Sequence, residues 1–191
     1  MSLNSYKLSD YMSFCNINSI KDVKYSKIDK KEGILLIDDS PGIISFLEDD
    51  FSQFFSEKIL DENNYNLFSF YGRTAIFDLI NNLKFKDLNI KYAVIDLTFG
   101  GILKNKNGEN IKLTGIDVYI MLKELKPSLK FCFLTGNQMN TYIETIKNMC
   151  SQFYRYNRDD IMNYVVFKNS NTIKNRRKEI LKRLFDIDIK Y

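Results

Sequence analysis

The sequence predicts an α/β domain: a (βα)5 doubly wound sheet whose strands are all parallel. Three observations predict it. From Gly33 onward, short apolar runs alternate with segments of helical spacing, the pattern of a sheet covered on both faces. The clearest run, Ile34-Leu35-Leu36-Ile37, is apolar at every position, as a strand buried on both sides must be. Polar residues then stand where the runs end, at the carboxyl edge where open α/β sheets bind ligands.

The elements follow in order. After the first strand, Ser40-Pro41 supplies an N-cap and a proline for the first helical position. Ile43, Ile44, Leu47, Phe51, Phe54 and Phe55 continue at helical spacing. A second strand is expected from Asn66 to Tyr71, with a helix over 73–83. The third strand runs from Tyr92 to Leu97. Gly100-Gly101 and a polar stretch over 104–112 separate it from a helix at 115–126, which Pro127 ends. A fourth strand spans Lys130 to Leu134, a fourth helix 140–150, and a fifth strand Tyr164 to Phe167. The chain then offers Ile173, Ile180, Leu181, Leu184 and Phe185 at spacings that suit one helical face. Lys174, Arg176, Arg177, Lys178, Lys182 and Arg183 make the other face of that helix basic and solvated.

Residues 1–32 do not fit the alternation. Tyr6, Leu8, Tyr11, Met12, Phe14, Ile17 and Ile20 make them too apolar for a disordered tail, and an extension packed on the domain is expected. The domain proper is 33–191, with insertions near 100–113 and 151–163 and no output domain after it.

Composition narrows the function. The 191 residues are 45% hydrophobic and 14% aromatic, enough for one packed core. No run approaches the roughly 18 apolar residues of a membrane span, and no secretion signal opens the chain. Cys15, Cys132 and Cys150 fit neither a disulfide framework nor a zinc site, so the expected location is the reducing cytoplasm. Histidine is absent, which excludes Ser-His-Asp chemistry, histidine metal ligands and a phosphohistidine on this chain. A net charge of +4 is too small to argue for nucleic acid.

The strand ends carry the chemistry. Asp38 and Asp39 follow the first strand, Asp96 the third, Thr135 the fourth and Lys168 the fifth. Taken singly, an aspartate after a strand is commonly a helix cap, a threonine a turn residue, and a lysine solvated. Together at one sheet edge, three carboxylates suit Mg²⁺, a hard cation that binds through one or two of them. A hydroxyl and an ammonium would neutralise a phosphoryl group, and Asp96 would be its nucleophilic acceptor.

The set resembles the receiver domain of two-component response regulators. Ile34-Leu35-Leu36-Ile37-Asp38-Asp39-Ser40-Pro41 looks like its acidic pair, and Tyr92-Ala93-Val94-Ile95-Asp96-Leu97 like its phosphoacceptor strand. Phe133-Leu134-Thr135-Gly136 is similar to its hydroxyl strand, and Val165-Val166-Phe167-Lys168 to its lysine strand. The resemblance implies a flavodoxin-like receiver fold over roughly Gly33 to Phe185, with Asp96 phosphorylated. It implies Mg²⁺ on Asp39, Asp96 and the Thr98 carbonyl, with Asp38 acting largely through water. Thr135 would bond the phosphoryl oxygen, Lys168 would pair with it, and small Gly136 would keep the acceptor accessible. Asn169 stands where that family usually has proline. Val165 takes the place of its aromatic switch residue, with Tyr164 one position further back.

The function implied is a single-domain, chemotaxis-type receiver. A histidine kinase or phosphotransfer protein would phosphorylate it, and it would signal to a downstream protein. It would catalyse only its own phosphorylation and dephosphorylation, with no membrane partner and none expected among nucleic acids. The alternative is a receiver-fold interaction module that acts without phosphorylation. An aspartyl phosphohydrolase ranks third, because its two aspartates should alternate whereas Asp38 and Asp39 are adjacent.

Overall fold

Glu32–Asp38 forms the first strand, β1, and runs through the middle of the fold with all but its first residue buried. Glu32 is half-buried and the six residues that follow it are closed off; Ile34 to Ile37, the unbroken apolar run, have no exposure at all. The structure is a computed structural model that describes residues 31–71, 88–99, 103–104, 110–111, 114–136, 164–168 and 173–189. The expected helices at 73–83 and 140–150, the insertion at 151–163, Asn169 and all but the last two residues of the N-terminal extension lie outside the described residues.

Around β1 stand β2 (Tyr65–Tyr71), β3 (Ile90–Asp96), β6 (Lys130–Thr135) and β7 (Val165–Phe167), in the spatial order β2-β1-β3-β6-β7. Every pairing in this sheet is parallel. Written in order along the sheet, these five strands run 2-1-3-4-5, the flavodoxin-like doubly wound order, whose ligand crevice lies at the switch point between the first and third strands. A pair of two-residue strands, β4 (Leu103–Lys104) and β5 (Asn110–Ile111), forms a separate antiparallel ladder within the polar stretch. The sequence reading had no strands there.

Strand alternation divides the core in two. Leu35, Ile37, Ala93, Ile95, Phe131, Phe133 and Val165 pack toward α2 (Gly115–Leu125). Ile34, Leu36, Val94, Cys132, Leu134 and Val166 pack toward α1 (Pro41–Ser56) and α3 (Ile173–Phe185). Cys132 is a buried hydrophobe, as expected, and burial pushes its thiol up to about 12.

Three local expectations need correction. Ser40 occupies the N-cap position of α1, but its side chain makes no cap bond. Its N–H instead donates to Asp38 Oδ1 at 2.9 Å, so the turn is held by the carboxylate. Ile173 was placed on the apolar face of the last helix and is 59% exposed, because it opens the helix before the buried stripe begins at Ile180. The basic face of α3 is also not simply solvated. Arg176 and Arg177 both bind Asp50 of α1, Lys178 pairs with Asp188, and Arg183 with Glu179.

Candidate functional site

The side chains at the strand ends converge. Asp38 lies two residues beyond Leu36, and Asp96 two beyond Val94, so alternation directs both toward the α1 and α3 layer. One oxygen from each of Asp38, Asp39 and Asp96 lies within 4.8 Å of the others. Asp38 and Asp96 are buried and Asp39 is half-buried. Lys168 completes the cluster from the end of β7, its Nζ 2.7 Å from Asp38 Oδ2 and 2.9 Å from Asp96 Oδ1.

Thr135 is fully buried at the end of β6, one residue beyond Leu134, the partner of Asp96 in the ladder. Its carbonyl accepts the Lys168 N–H at 2.8 Å, which joins the hydroxyl strand to the lysine. Thr98 is half-buried, and its backbone N–H bonds to the Asp96 carboxylate. Gly136 is exposed, and a Cβ there would meet only Lys168 Cδ at 3.8 Å, an ordinary contact. Val165, at the expected switch position, is buried, while Tyr164 lies outside the strand and stacks on Phe131 with ring centroids 4.6 Å apart.

The electrostatics follow from this crowding. Burial first, and then the neighbouring Asp38 charge, push the Asp96 carboxyl up from 3.8 to about 6, against the opposing pull of Lys168 and the Thr98 N–H. Burial pulls the Lys168 ammonium down, yet the two carboxylates outweigh it and hold its pKa above the ordinary value. The ammonium is therefore charged throughout the neutral range. Asp96 changes charge near pH 6.

A stability prediction follows. The folded chain binds more protons than the unfolded chain between 3.8 and about 6, so ionised Asp96 lowers stability as pH rises through that window. Asp96→Asn is expected to gain roughly 2–3 kcal/mol at pH 7.5 in chelator, the free energy that corresponds to a carboxyl pushed up from 3.8 to about 6. The gain should shrink from about pH 6 downward and vanish below the unfolded value. Urea midpoints across pH 3.5–7.5 measure it; a gain independent of pH would refute the assignment.

The donor set fits a hard divalent cation. All three donors are carboxylates, and among the described residues Asp38 Oδ2 and Asp96 Oδ1 are buried without an aligned hydrogen bond and faced by the Lys168 ammonium. Such a cluster could hold a cation, with Lys168 offering a second positive charge to an incoming anion.

Two contributors escaped the sequence reading. Gly115 opens α2 against the acceptor strand: a Cβ there would lie 2.0 Å from the Asp96 carbonyl oxygen. Asp50, 1% exposed, anchors α3 to α1 through two guanidinium groups. The signal for Asp50 was present, since Leu47, Asp50, Phe51 and Phe54 share one helical stripe. An acid in an apolar stripe requires a buried partner.

No family model matches the chain, and no curated protein does. Among solved structures it is similar to the RcsB response regulator of Salmonella typhimurium, at 19% identity and a TM-score of 0.49, covering 84% of this chain and 63% of that one. The chain therefore spans less than two thirds of that protein's length. It is also similar to the isolated REC domain of RcsB from Salmonella enterica serovar Typhimurium with phosphomimetic BeF3⁻, at 20% identity and a TM-score of 0.46, covering 73% and 79%. A response regulator from Burkholderia pseudomallei with a phosphorylated aspartic acid, calcium ion and citrate is 17% identical, with a TM-score of 0.42 and coverage of 81% and 66%. These likenesses concern the fold. Among the described residues, no helix is long and apolar enough to cross a membrane.

Proposed function

We propose that the chain is a phosphoacceptor receiver of a two-component phosphorelay, with Asp96 as the acceptor. One observation carries the reading: Lys168, from the far edge of the sheet, reaches both Asp38 and Asp96, and Asp39 joins the same carboxylate cluster. Residues so distant in sequence gather at one sheet edge, with the charge pattern phosphoryl transfer requires.

In this reading an oxygen of the ionised Asp96 carboxylate bonds to phosphorus, and the phosphorus–nitrogen bond of a donor phosphohistidine breaks. The departing donor imidazole takes up a proton from water, since the ionised Asp96 has none to give. Asp38, Asp39 and Asp96 would hold Mg²⁺, with the Thr98 carbonyl as a further ligand, and the ion would supply positive charge to neutralise the phosphoryl oxygens. Lys168 keeps its ammonium beside Asp96 and pairs with the transferred group. Thr135 supplies a hydroxyl to it. Asp96 must be ionised to attack, and a bound cation would favour that form against the burial and the Asp38 charge that push its carboxyl up.

The donor would be a histidine kinase or phosphotransfer protein, the output a downstream protein and the location the cytoplasm. Such a chain turns over no external substrate beyond its own phosphorylation and dephosphorylation. Nucleic acid is not among the proposed partners, since all three arginines on α3 are already engaged within the chain. A second reading, an interaction module that acts without phosphate, draws on the direct neutralisation of Asp38 and Asp96 by Lys168.

Incubation with acetyl phosphate and Mg²⁺, followed by intact mass measurement, separates the two. The expected result is one phosphoryl adduct, absent without Mg²⁺ and absent in Asp96→Asn. An unchanged mass in the parent chain at pH 7.5 selects the interaction module.

A further inference from the structure

We propose that Thr114 and Asp117 are positioning residues for the acceptor, acting on Asp96 through Thr98; the inference rests on the reading of Asp96 as phosphoacceptor. The chain leaves the site at Leu97–Thr98 and returns at Thr114–Gly115, with the β4–β5 ladder in the excursion between them. The two ends of that excursion are clamped together. Thr98 and Thr114 face each other in an antiparallel bridge, and the Gly115 N–H donates to the Leu97 carbonyl at 2.9 Å.

The clamp sits directly on the acceptor. Thr98 supplies the backbone N–H that bonds the Asp96 carboxylate, and Gly115 approaches the Asp96 peptide too closely for any side chain. An excursion entered two residues after Asp96 would otherwise let that N–H swing, because residues 97–99 are not within a long strand.

Thr114 and Asp117 hold the returning end. The Thr114 N–H and hydroxyl both donate to Asp117 Oδ2, at 2.8 and 2.6 Å, and the Asp117 N–H donates back to Thr114 Oγ1 at 3.3 Å. As a capping box this fixes the start of α2. Here it does more, because the capping residue is also the bridge partner of Thr98. A fixed Thr114 presents a fixed edge to Thr98, and a fixed Thr98 N–H orients the Asp96 oxygens. Neither Thr114 nor Asp117 touches the reacting atoms.

The test compares Thr114→Val, which keeps the shape without the hydroxyl, with Thr114→Ser, which keeps the hydroxyl. Amide hydrogen exchange by NMR is read on the full chain, together with phosphorylation rates from acetyl phosphate and Mg²⁺. In Thr114→Val the Thr98 amide should exchange roughly tenfold faster while Ala93 to Ile95 stay unchanged. The phosphorylation rate at saturating acetyl phosphate should drop roughly tenfold with KM unmoved, as expected for a misplaced reacting group. Thr114→Ser should restore both. Wild-type exchange at Thr98 in Thr114→Val overturns the proposal and reduces the pair to a helix cap. So does a normal phosphorylation rate alongside faster exchange. If the parent chain takes no phosphoryl group, faster exchange at Thr98 still supports the clamp on Asp96, and the receiver reading alone fails. Should Thr114→Val not fold, Asp117→Asn carries the same comparison.

Discussion

Replacing Lys168 with methionine should cost about 3–5 kcal/mol of stability at pH 7.5 in chelator, the penalty for stripping the partner from buried charge. The ammonium lies 2.7 Å from Asp38 and 2.9 Å from Asp96, whose side chains are 0% and 2% exposed. The oxygens that face it have no aligned hydrogen bond to fall back on. Methionine keeps an unbranched stem, so the change removes charge with little loss of packing. The cost exists only while the carboxylates are ionised. It should therefore narrow as pH falls through about 6, where Asp96 protonates in the parent chain, and sooner in the variant, where the attraction of Lys168 no longer favours the ionised form. Added Mg²⁺ should recover part of the loss if the cluster binds it, since the ion supplies the missing neutralisation. Urea midpoints at pH 4.5 and 7.5, with and without Mg²⁺, measure all three effects. A loss under about 1 kcal/mol, typical of an exposed pair, would mean that the ion pair is not the buried one described.

Much of this fold was legible because burial on both faces leaves a plain signature. Ile34 to Ile37 could be read as a central strand, since only such a strand needs four consecutive apolar residues, and it is found between β2 and β3 with no exposed atom. Asp38 and Asp96 were legible for a related reason: a carboxylate ending an apolar strand reports where the sheet's edge meets water and ligand. Their meeting with Lys168 was expected from the placement of strand ends at one sheet edge, and Lys168 Nζ stands 2.7 Å from Asp38 and 2.9 Å from Asp96. What escaped depended on pairs distant in sequence. Gly115 read as an ordinary helix start, because nothing in its neighbours announces that the Asp96 carbonyl will stand 2.0 Å from its missing Cβ. Arg176 and Arg177 read as a solvated face, because helical spacing reveals which residues share a side but not what acid waits on another helix. The β4–β5 ladder rests on two-residue strands, too short for alternation to register.

Asp50→Leu is the second large effect, expected at about 3 kcal/mol or more, and it tests how α3 is held. Asp50 is almost fully buried on α1, and the Arg176 and Arg177 side chains that meet it are 14% and 16% exposed. Arg176 reaches Asp50 Oδ2 through Nε at 2.8 Å and Nη2 at 2.6 Å, and Arg177 reaches Oδ1 through Nε at 2.7 Å. Leucine would match the apolar stripe formed by Leu47, Phe51 and Phe54, yet it would leave two guanidinium groups beside a wall with no counter-charge. Arg177 would keep its bond to Gln53, and Arg176 would have to turn outward. That loss should loosen the first turns of α3 while Ile180, Leu181 and Leu184 keep its last turns docked. Hydrogen exchange should then rise near residues 176–178 and stay low at 180–184. The combined Asp50→Leu, Arg176→Leu and Arg177→Leu chain separates charge from packing. If the ion trio serves mainly to avoid its own desolvation penalty, the triple variant should recover to within about 1 kcal/mol of the parent or exceed it, as buried ion pairs replaced by apolar groups often do. If it stays as unstable as Asp50→Leu alone, the three charges hold α3 in a register that apolar contacts cannot specify, and the helix next to Lys168 owes its position to them.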